Sequence, residues 1–277
     1  MADFRWKDCP VVIPYYGGKF ELSRKLVPML WDNHNRYIEM FFGGGSMFFR
    51  KRKSKFNVLN DLHNDLINLY ITIIDNYDEF YKESENLLKS RTLFDNFKNE
   101  IKTIEYIDIP DPLRAAKYYY VIKNAFNHTV FNAISKEQEW HKEMLEDLKI
   151  SRKILENTMI ENLDFRTLLE KYPPKEDDMW YLDPPYIVAG ERGDYYFHSL
   201  NMDDHKALRD ICNEIHANKG KFMVSYDNRE EVRELYRDYK ITEIPIIYAG
   251  QLHKRDMKIE LVITNYEPQR MQESLFD

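Results

Sequence analysis

The chain has 277 residues, 43% of them hydrophobic, and carries 40 Lys and Arg against 47 Asp and Glu for a formal net charge of −7. No apolar run approaches the roughly 18 residues of a membrane span, and the opening MADFRWKDCP lacks the apolar core of a signal peptide, so a soluble cytoplasmic protein is expected. The two cysteines, Cys9 and Cys212, form no CxxC pair, and none of the eight histidines falls in an HxxxH or HExxH pattern, so neither a disulfide framework nor a metal site is expected.

Residues 11–19 predict a short extended segment and a turn at Gly17 and Gly18. A helix is expected over 21–31, with Leu22, Leu26, Val27, Leu30 and Trp31 at helical spacing. Residues 37–41 read as a strand running into Gly43, Gly44 and Gly45, residues 47–50 as the opening of a helix, and 56–59 as a second strand ending at Asn60 and Asp61. From 62 to about 155 the pattern is helical, polar and scattered with aromatics, broken near Pro110 and Pro112, and reads as an insertion. The α/β rhythm resumes at 160–165. Residues 179–182 form a strand that ends in Asp183, Pro184, Pro185 and Tyr186. A helix capped near Asn201 or Asp203 follows, with Leu208, Ile211, Cys212 and Ile215 on its apolar face. Then come a strand at 222–225, a helix over 230–239, and strands at 244–248 and 259–264 joined by a basic loop. Alternating strands and helices imply a mostly parallel α/β sheet, and the last short connection implies an antiparallel hairpin.

Charge and glycine are spread unevenly. Residues 1–57 hold 11 Lys and Arg against 5 Asp and Glu, so a basic segment sits in an acidic chain. The acidic total counts against a nucleic-acid partner, while the local excess is compatible with one. Five of nine glycines fall in the two clusters already named. A chain this sparing with glycine needs it where φ is positive or where a ligand approaches the backbone closely.

The first βαβ unit has a glycine turn after one strand and an acid after the next, Asp61 lying 18 residues beyond Gly43. That spacing suits a cofactor containing adenosine, NAD included, because the acid can accept from ribose hydroxyls. Phe48 stands where a pyrophosphate-binding loop needs its third glycine, which favours a cofactor without phosphates. The tetrapeptide Asp183-Pro184-Pro185-Tyr186 follows an apolar strand and therefore lies in the ligand crevice of an open α/β sheet. Its prolines remove backbone donors and stiffen the turn, leaving a carboxylate and a carbonyl as fixed acceptors beside an aromatic ring. An exocyclic amine on a flat base matches that arrangement.

Taken in order, Pro14 to Lys19, Phe41 to Ser46, Leu59-Asn60-Asp61, Asp164-Phe165, Asp183 to Tyr186, Val224 to Asp227 and Glu260 to Tyr266 resemble the Dam-like, alpha-group adenine-N6 DNA methyltransferases. The resemblance spans nearly the whole chain and is thinnest over 75–150. It implies a Rossmann-like methyltransferase fold of seven strands with a helical target-recognition insertion. The domain limits are then 1–72 and 156–267 for the two parts of the catalytic domain, 73–155 for the recognition domain and 268–277 for a tail. It also implies S-adenosylmethionine as cofactor and double-stranded DNA as substrate, in a bacterial, archaeal or phage-encoded protein. Tyr15 and Lys19 would line the cofactor pocket, Glu39, Phe41, Gly43 and Gly45 would pass beneath the methionine end, Asp61 would hold the ribose, and Asp164 and Phe165 the adenine. Asp183 would serve both cofactor and target. Asp183, Pro184, Pro185 and Tyr186 would form the catalytic group, with Tyr186 stacked on a flipped-out adenine.

Residues 114–132 resemble the family's recognition helix and the loop after it, so Arg114, Lys123, Asn124, Asn127 and Asn132 become DNA-contact candidates. The family commonly carries a glycine and an arginine in that loop; residues 127–132 have neither, which leaves the target sequence open. His253, Lys254 and Arg255, in the last basic loop, are read either as phosphate contacts or as an ordinary solvated hairpin. The tail from Gln272 to Phe276 resembles the Q-x-x-L-F peptide that docks on the bacterial sliding clamp. Cytosine-N4 methylation, RNA as substrate and a binding module without turnover are the competing readings.

Overall fold

A computed structural model describes residues 10–15, 19–103, 108–130, 132–136, 140–187, 200–247 and 257–268. Gly17, Gly18, the loop holding His253, Lys254 and Arg255, and the tail at 272–276 lie outside the described residues. The chain folds as two compact units. The first gathers Met1–Phe20, Phe42–Lys51 and Asp61–Leu163, and the second gathers Glu21–Phe41, Arg52–Asn60 and Asp164–Asp277. No helix among the described residues is long and apolar enough to cross a membrane.

The second unit is α/β. Strands β1 (Arg36–Glu39), β2 (Phe56–Asn60), β4 (Asp178–Leu182), β5 (Lys221–Asp227), β6 (Lys240–Ile247) and β7 (Met257–Thr264) run in the order β2-β1-β4-β5-β7-β6. The first four are parallel, while β7 is antiparallel to both β5 and β6, as the expected closing hairpin requires. Strand order reverses between β1 and β4, which makes the carboxyl ends of those two strands the crevice of the sheet. Strand β4 is buried at every position, because its apolar run Met179-Trp180-Tyr181-Leu182 has cover on both faces. At its start Arg36 grips Asp178 with two nitrogens, and Asp178 also accepts from the Lys175 amide at 2.7 Å. Helix α8 (Met202–Ala217) opens on a capping box of Asn201 and Asp204 and buries Leu208, Ile211, Cys212 and Ile215.

Four elements differ from expectation. The helix over 21–31 shrinks to α1 (Ser23–Leu26) and a 3-10 turn (Val27–Met29), because Pro28 cannot donate to a continuing ladder. Residues 47–50 form turns, not a helix. Bonds of helical span join Phe49 to Gly45 and Lys51 to Met47, but Arg50 bonds to the third residue back, so no regular ladder builds. Helix α9 (Glu230–Leu235) stops short and β6 begins at Lys240, earlier than its apolar residues suggested.

The first unit is mostly helical, with α2 (Asn64–Asp75), α3 (Tyr77–Ser84), α4 (Arg91–Thr103), α5 (Pro112–Asn124), α6 (Glu143–Leu155) and the short strand β3 (Met159–Glu161). Its core is aromatic and aliphatic: Leu66, Leu69, Tyr70, Ile73, Phe80, Tyr118 and Tyr119 are all buried. Trp140 meets Tyr119 and Tyr120 edge-on, with ring centroids 5.8 and 4.9 Å away. Helix α5 starts cleanly, Asp111 accepting from the Arg114 amide and Pro112 filling a first-turn position that needs no donor.

Removing the Asp178 carboxylate should strand Arg36, whose side chain is only 15% exposed. Asp178→Ala is therefore expected to cost about 3 kcal/mol, the lower end for breaking a buried pair, as read by urea unfolding at neutral pH.

Candidate active site

In the second unit, Asp183, Pro184, Pro185 and Tyr186 leave the carboxyl end of β4, at the crevice. Asp183 Oδ1 accepts from Ser225 Oγ at 2.9 Å, and Ser225 Oγ lies 2.9 Å from the Tyr181 hydroxyl. Tyr186 donates its hydroxyl to Glu260, 2.8 and 3.1 Å from the two carboxylate oxygens. Glu260 sits on β7 and is itself buried. At the end of β1 the buried Glu39 accepts from the Tyr37 hydroxyl at 2.8 Å. Burial, and then that neighbouring carboxylate, raise the Tyr37 phenol well above its ordinary pKa. Phe41 and Phe165, far apart in sequence, bring their ring centroids to 6.0 Å, and the Arg166 guanidinium covers Phe165 at 4.2 Å. Asp164 caps α7 (Phe165–Lys171) by accepting from the Arg166 amide at 2.9 Å.

In the first unit the glycine turn is closed by Asp61. Its Oδ2 accepts from the Gly43 amide at 2.8 Å and its Oδ1 from the His63 amide at 2.9 Å. The Tyr70 hydroxyl donates to the Gly43 carbonyl at 3.0 Å, and Asn162 donates to the Asp61 carbonyl at 2.9 Å. Gly43 and Gly45 have φ of +50° and +70°, a conformation that favours glycine. Gly44 is needed for a different reason: a Cβ there would stand 2.9 Å from Tyr15 Cβ and 3.1 Å from the Ile13 carbonyl. The close approach at Gly44 is thus made by the chain itself. Lys19 is buried in this unit and Tyr15 half-buried.

The recognition candidates divide. Arg114 is buried and bidentate on Asp65, with a further bond to the Ile101 carbonyl at 3.2 Å, so its guanidinium serves the helical core and not a DNA surface. Asn124 is fully buried and donates to the Tyr120 carbonyl one turn back at 2.8 Å. Asn132 spends its amide on the Phe126 carbonyl at 2.9 Å, and its own carbonyl accepts from Lys98 at 2.8 Å. Lys123 lies 5.7 Å over the Tyr119 ring, and burial pulls its ammonium below the usual lysine pKa. Asn127 is exposed, with φ of 54°, beside the exposed Phe126. The family resemblance singled out Arg114 and Asn124, but their partners Asp65 and Tyr120 decide their role. Ser225, Tyr181, Glu260 and Tyr70 went unassigned, although Ser225 and Glu260 lie within the closing-strand segments that carry the resemblance.

Asp-Pro-Pro-Tyr at the carboxyl end of the fourth strand, on a parallel sheet closed by an antiparallel pair, fits a Rossmann-like S-adenosylmethionine-dependent methyltransferase. Residues 15–249 match the family model described as D12 class N6 adenine-specific DNA methyltransferase, and the chain belongs to that family. Among relatives, it is 26% identical to the Type II methyltransferase M1.LlaDCHI of Lactococcus lactis subsp. cremoris, over 90% of this chain and 93% of that one. It is 21% identical to the DNA adenine methylase of Haemophilus influenzae, over 84% of this chain and 85% of that one. A solved SAM-dependent methyltransferase from Agrobacterium tumefaciens aligns over 90% of this chain and 61% of that one, with 12% identity and a TM-score of 0.39.

The chain is accordingly a DNA adenine methyltransferase that uses S-adenosylmethionine. Its residues suit that cofactor. In the second unit Glu39 and Asp183 are carboxylate acceptors and the Phe41 and Phe165 rings are flat and apolar; in the first, Asp61 is a carboxylate acceptor.

Asp61→Ala would remove the carboxylate that accepts from both Gly43 and His63. Loss of a charged acceptor is worth about 1.5–3 kcal/mol, so the unfolding free energy should fall by that amount in urea titration.

Proposed function

We propose that this enzyme methylates N6 of an adenine in double-stranded DNA after swinging the base out of the helix. An adenine inside a duplex cannot be reached, and flipping it costs a few kcal/mol. Tyr186 stacks on the extruded base, its ring steadied by the bond to Glu260. Asp183 and the Pro184 carbonyl accept the two amino hydrogens, which turns the nitrogen lone pair toward the methyl donor. S-adenosylmethionine, when bound, supplies an electrophilic methyl group on a sulfonium. Asp61 holds its ribose, Asp164 and Phe165 its adenine, and Tyr15, Lys19, Glu39 and the turn at 43–45 the remainder. Catalysis on this reading is positioning and electrostatics. The observation that carries it is the Asp183 carboxylate, held by the Ser225 hydroxyl at the carboxyl end of β4. Among the recognition candidates, the exposed Asn127 and the half-buried Lys123 are the contacts we retain, with His253, Lys254 and Arg255 on phosphates. The family and its relatives favour a cytoplasmic enzyme acting on DNA there.

Labelled methyl transfer to DNA followed by nucleoside analysis tests the reaction. N6-methyladenine is expected; N4-methylcytosine, or label in RNA alone, overturns it. Asp183→Ala should abolish turnover in a protein that still folds, destabilised by the roughly 1–3 kcal/mol of a buried Ser225 hydroxyl left without that acceptor, and an active variant overturns the role given to Asp183.

We further infer that Gln272, Leu275 and Phe276 dock on a bacterial sliding clamp. The Q-x-x-L-F spacing of Gln272, Leu275 and Phe276 supports this reading. Full-length protein should be retained by immobilised clamp and a version ending at Arg270 should not; equal retention sinks the assignment.

A further inference from the structure

Strands β4 and β5 are parallel with Tyr181 opposite Met223 and Leu182 opposite Val224. Continuing that register by one residue brings Asp183 level with Ser225. Side chains alternate along a strand, so Tyr181 and Asp183 share one face, and Ser225 meets them there. Tyr226, the next residue of β5, turns the other way, and its hydroxyl lies 2.8 Å from His205 Nδ1. Ser225 and Tyr181 are 0% and 1% exposed, so neither hydroxyl exchanges partners with bulk water.

Proton inventory gives this chain of contacts a direction. A carboxylate only accepts, and a serine has a single proton to donate. Ser225 spends it on Asp183 Oδ1, so the 2.9 Å contact between Tyr181 and Ser225 has tyrosine as donor. The carboxyl torsion of an aspartate is otherwise broad and roughly two-fold. A group that must receive an amino hydrogen from a flipped base needs its orientation held within about 10–20°.

We propose that Tyr181 and Ser225 form a positioning relay, Tyr181 to Ser225 to Asp183, that sets the orientation in which Asp183 meets the target amine. This rests on the role given above to Asp183. Neither hydroxyl touches substrate; both act through the carboxylate.

The test uses the full-length enzyme and a duplex containing its methylated sequence, mapped from the products. A hydrogen bond to a charged group is worth about 1.5–3 kcal/mol, so Ser225→Ala should lower kcat about ten- to hundredfold. The variant should still fold, with an unfolding free energy lowered by no more than the roughly 1–3 kcal/mol of the lost buried bonds. Ser225→Thr, which restores the hydroxyl, should recover most of kcat. Tyr181→Phe should lower kcat by a smaller factor, about two- to tenfold for a neutral bond. A binding measurement without turnover supplies an independent readout. With S-adenosylhomocysteine present, wild-type enzyme should bind the duplex with its target adenine more tightly than one with purine there, and Ser225→Ala should lose that preference. Wild-type kcat and an intact preference for adenine in Ser225→Ala overturn the relay. If Ser225→Ala does not fold, Tyr181→Phe decides, and an unchanged kcat overturns it. Asp183→Asn separates the two claims. If that variant is inactive while Ser225→Ala is fully active, the relay alone is wrong; if it is fully active, the role of Asp183 falls with it.

Discussion

Strand β4 depends on two aspartates that bracket it. Its interior is apolar and buried on both faces, so its pattern does not distinguish one face from the other and says little about register. The ends carry that information. Asp178, at the start, takes the Arg36 guanidinium of β1, and Asp183, just past the end, takes the Ser225 hydroxyl of β5. A slip of one residue between β4 and either neighbour would break one of these bonds and leave a polar group buried without its partner. The same bonds that set the register of three strands therefore also deliver the Asp-Pro-Pro-Tyr turn in a fixed orientation.

Much of this was legible in the amino-acid order. Met179-Trp180-Tyr181-Leu182 is too apolar for a half-exposed strand and too short for a helix, and Asp-Pro-Pro ends it unambiguously. The capping signal at Asn201 also marked a helix start correctly, because a cap is a local bond. Local reasoning failed where the decisive partner was remote. Arg114 stood among the DNA-contact candidates, yet its partner Asp65 lies 49 residues earlier. Asn124 sits on a helix near the expected recognition loop, but the buried face of that helix claims it. Leu22 to Trp31 has helical spacing throughout, and Pro28 still broke the ladder, since spacing records which face is apolar and not whether every amide can donate.

The glycine turn gives a more mixed answer. Sparing use of glycine marked residues 43–45 as special, and positive φ at Gly43 and Gly45 is the reason at two of the three positions. Gly44 follows another rule, since the backbone at Ile13 and the side chain of Tyr15 occupy the space a Cβ would need. Ligand approach and self-approach leave the same mark in a sequence. Only the structure separates them, and here Tyr15 of the N-terminal segment lies against both Gly43 and Gly44.

The abundance of tyrosine has a related origin. Tyr37, Tyr70, Tyr118, Tyr181 and Tyr226 are all but fully buried, and a buried phenol keeps its desolvation cost small only when its proton has an acceptor. Each hydroxyl here meets a polar group: Glu39, the Gly43 carbonyl, His63, Ser225 and His205. Phenylalanine would fill the same volume without making those bonds. A tyrosine ring has two torsions to fix and one proton to place, so such contacts tie elements together at small entropic cost, except that Tyr37 and Glu39 share β1. Three of them reach a candidate site residue directly or through one hydroxyl: Tyr37 to Glu39, Tyr70 to Gly43, and Tyr181 through Ser225 to Asp183. In this chain the aromatic excess supplies a rigid polar wiring within each unit as well as a core, which is how an acidic protein with few glycines can hold carboxylates in fixed orientations.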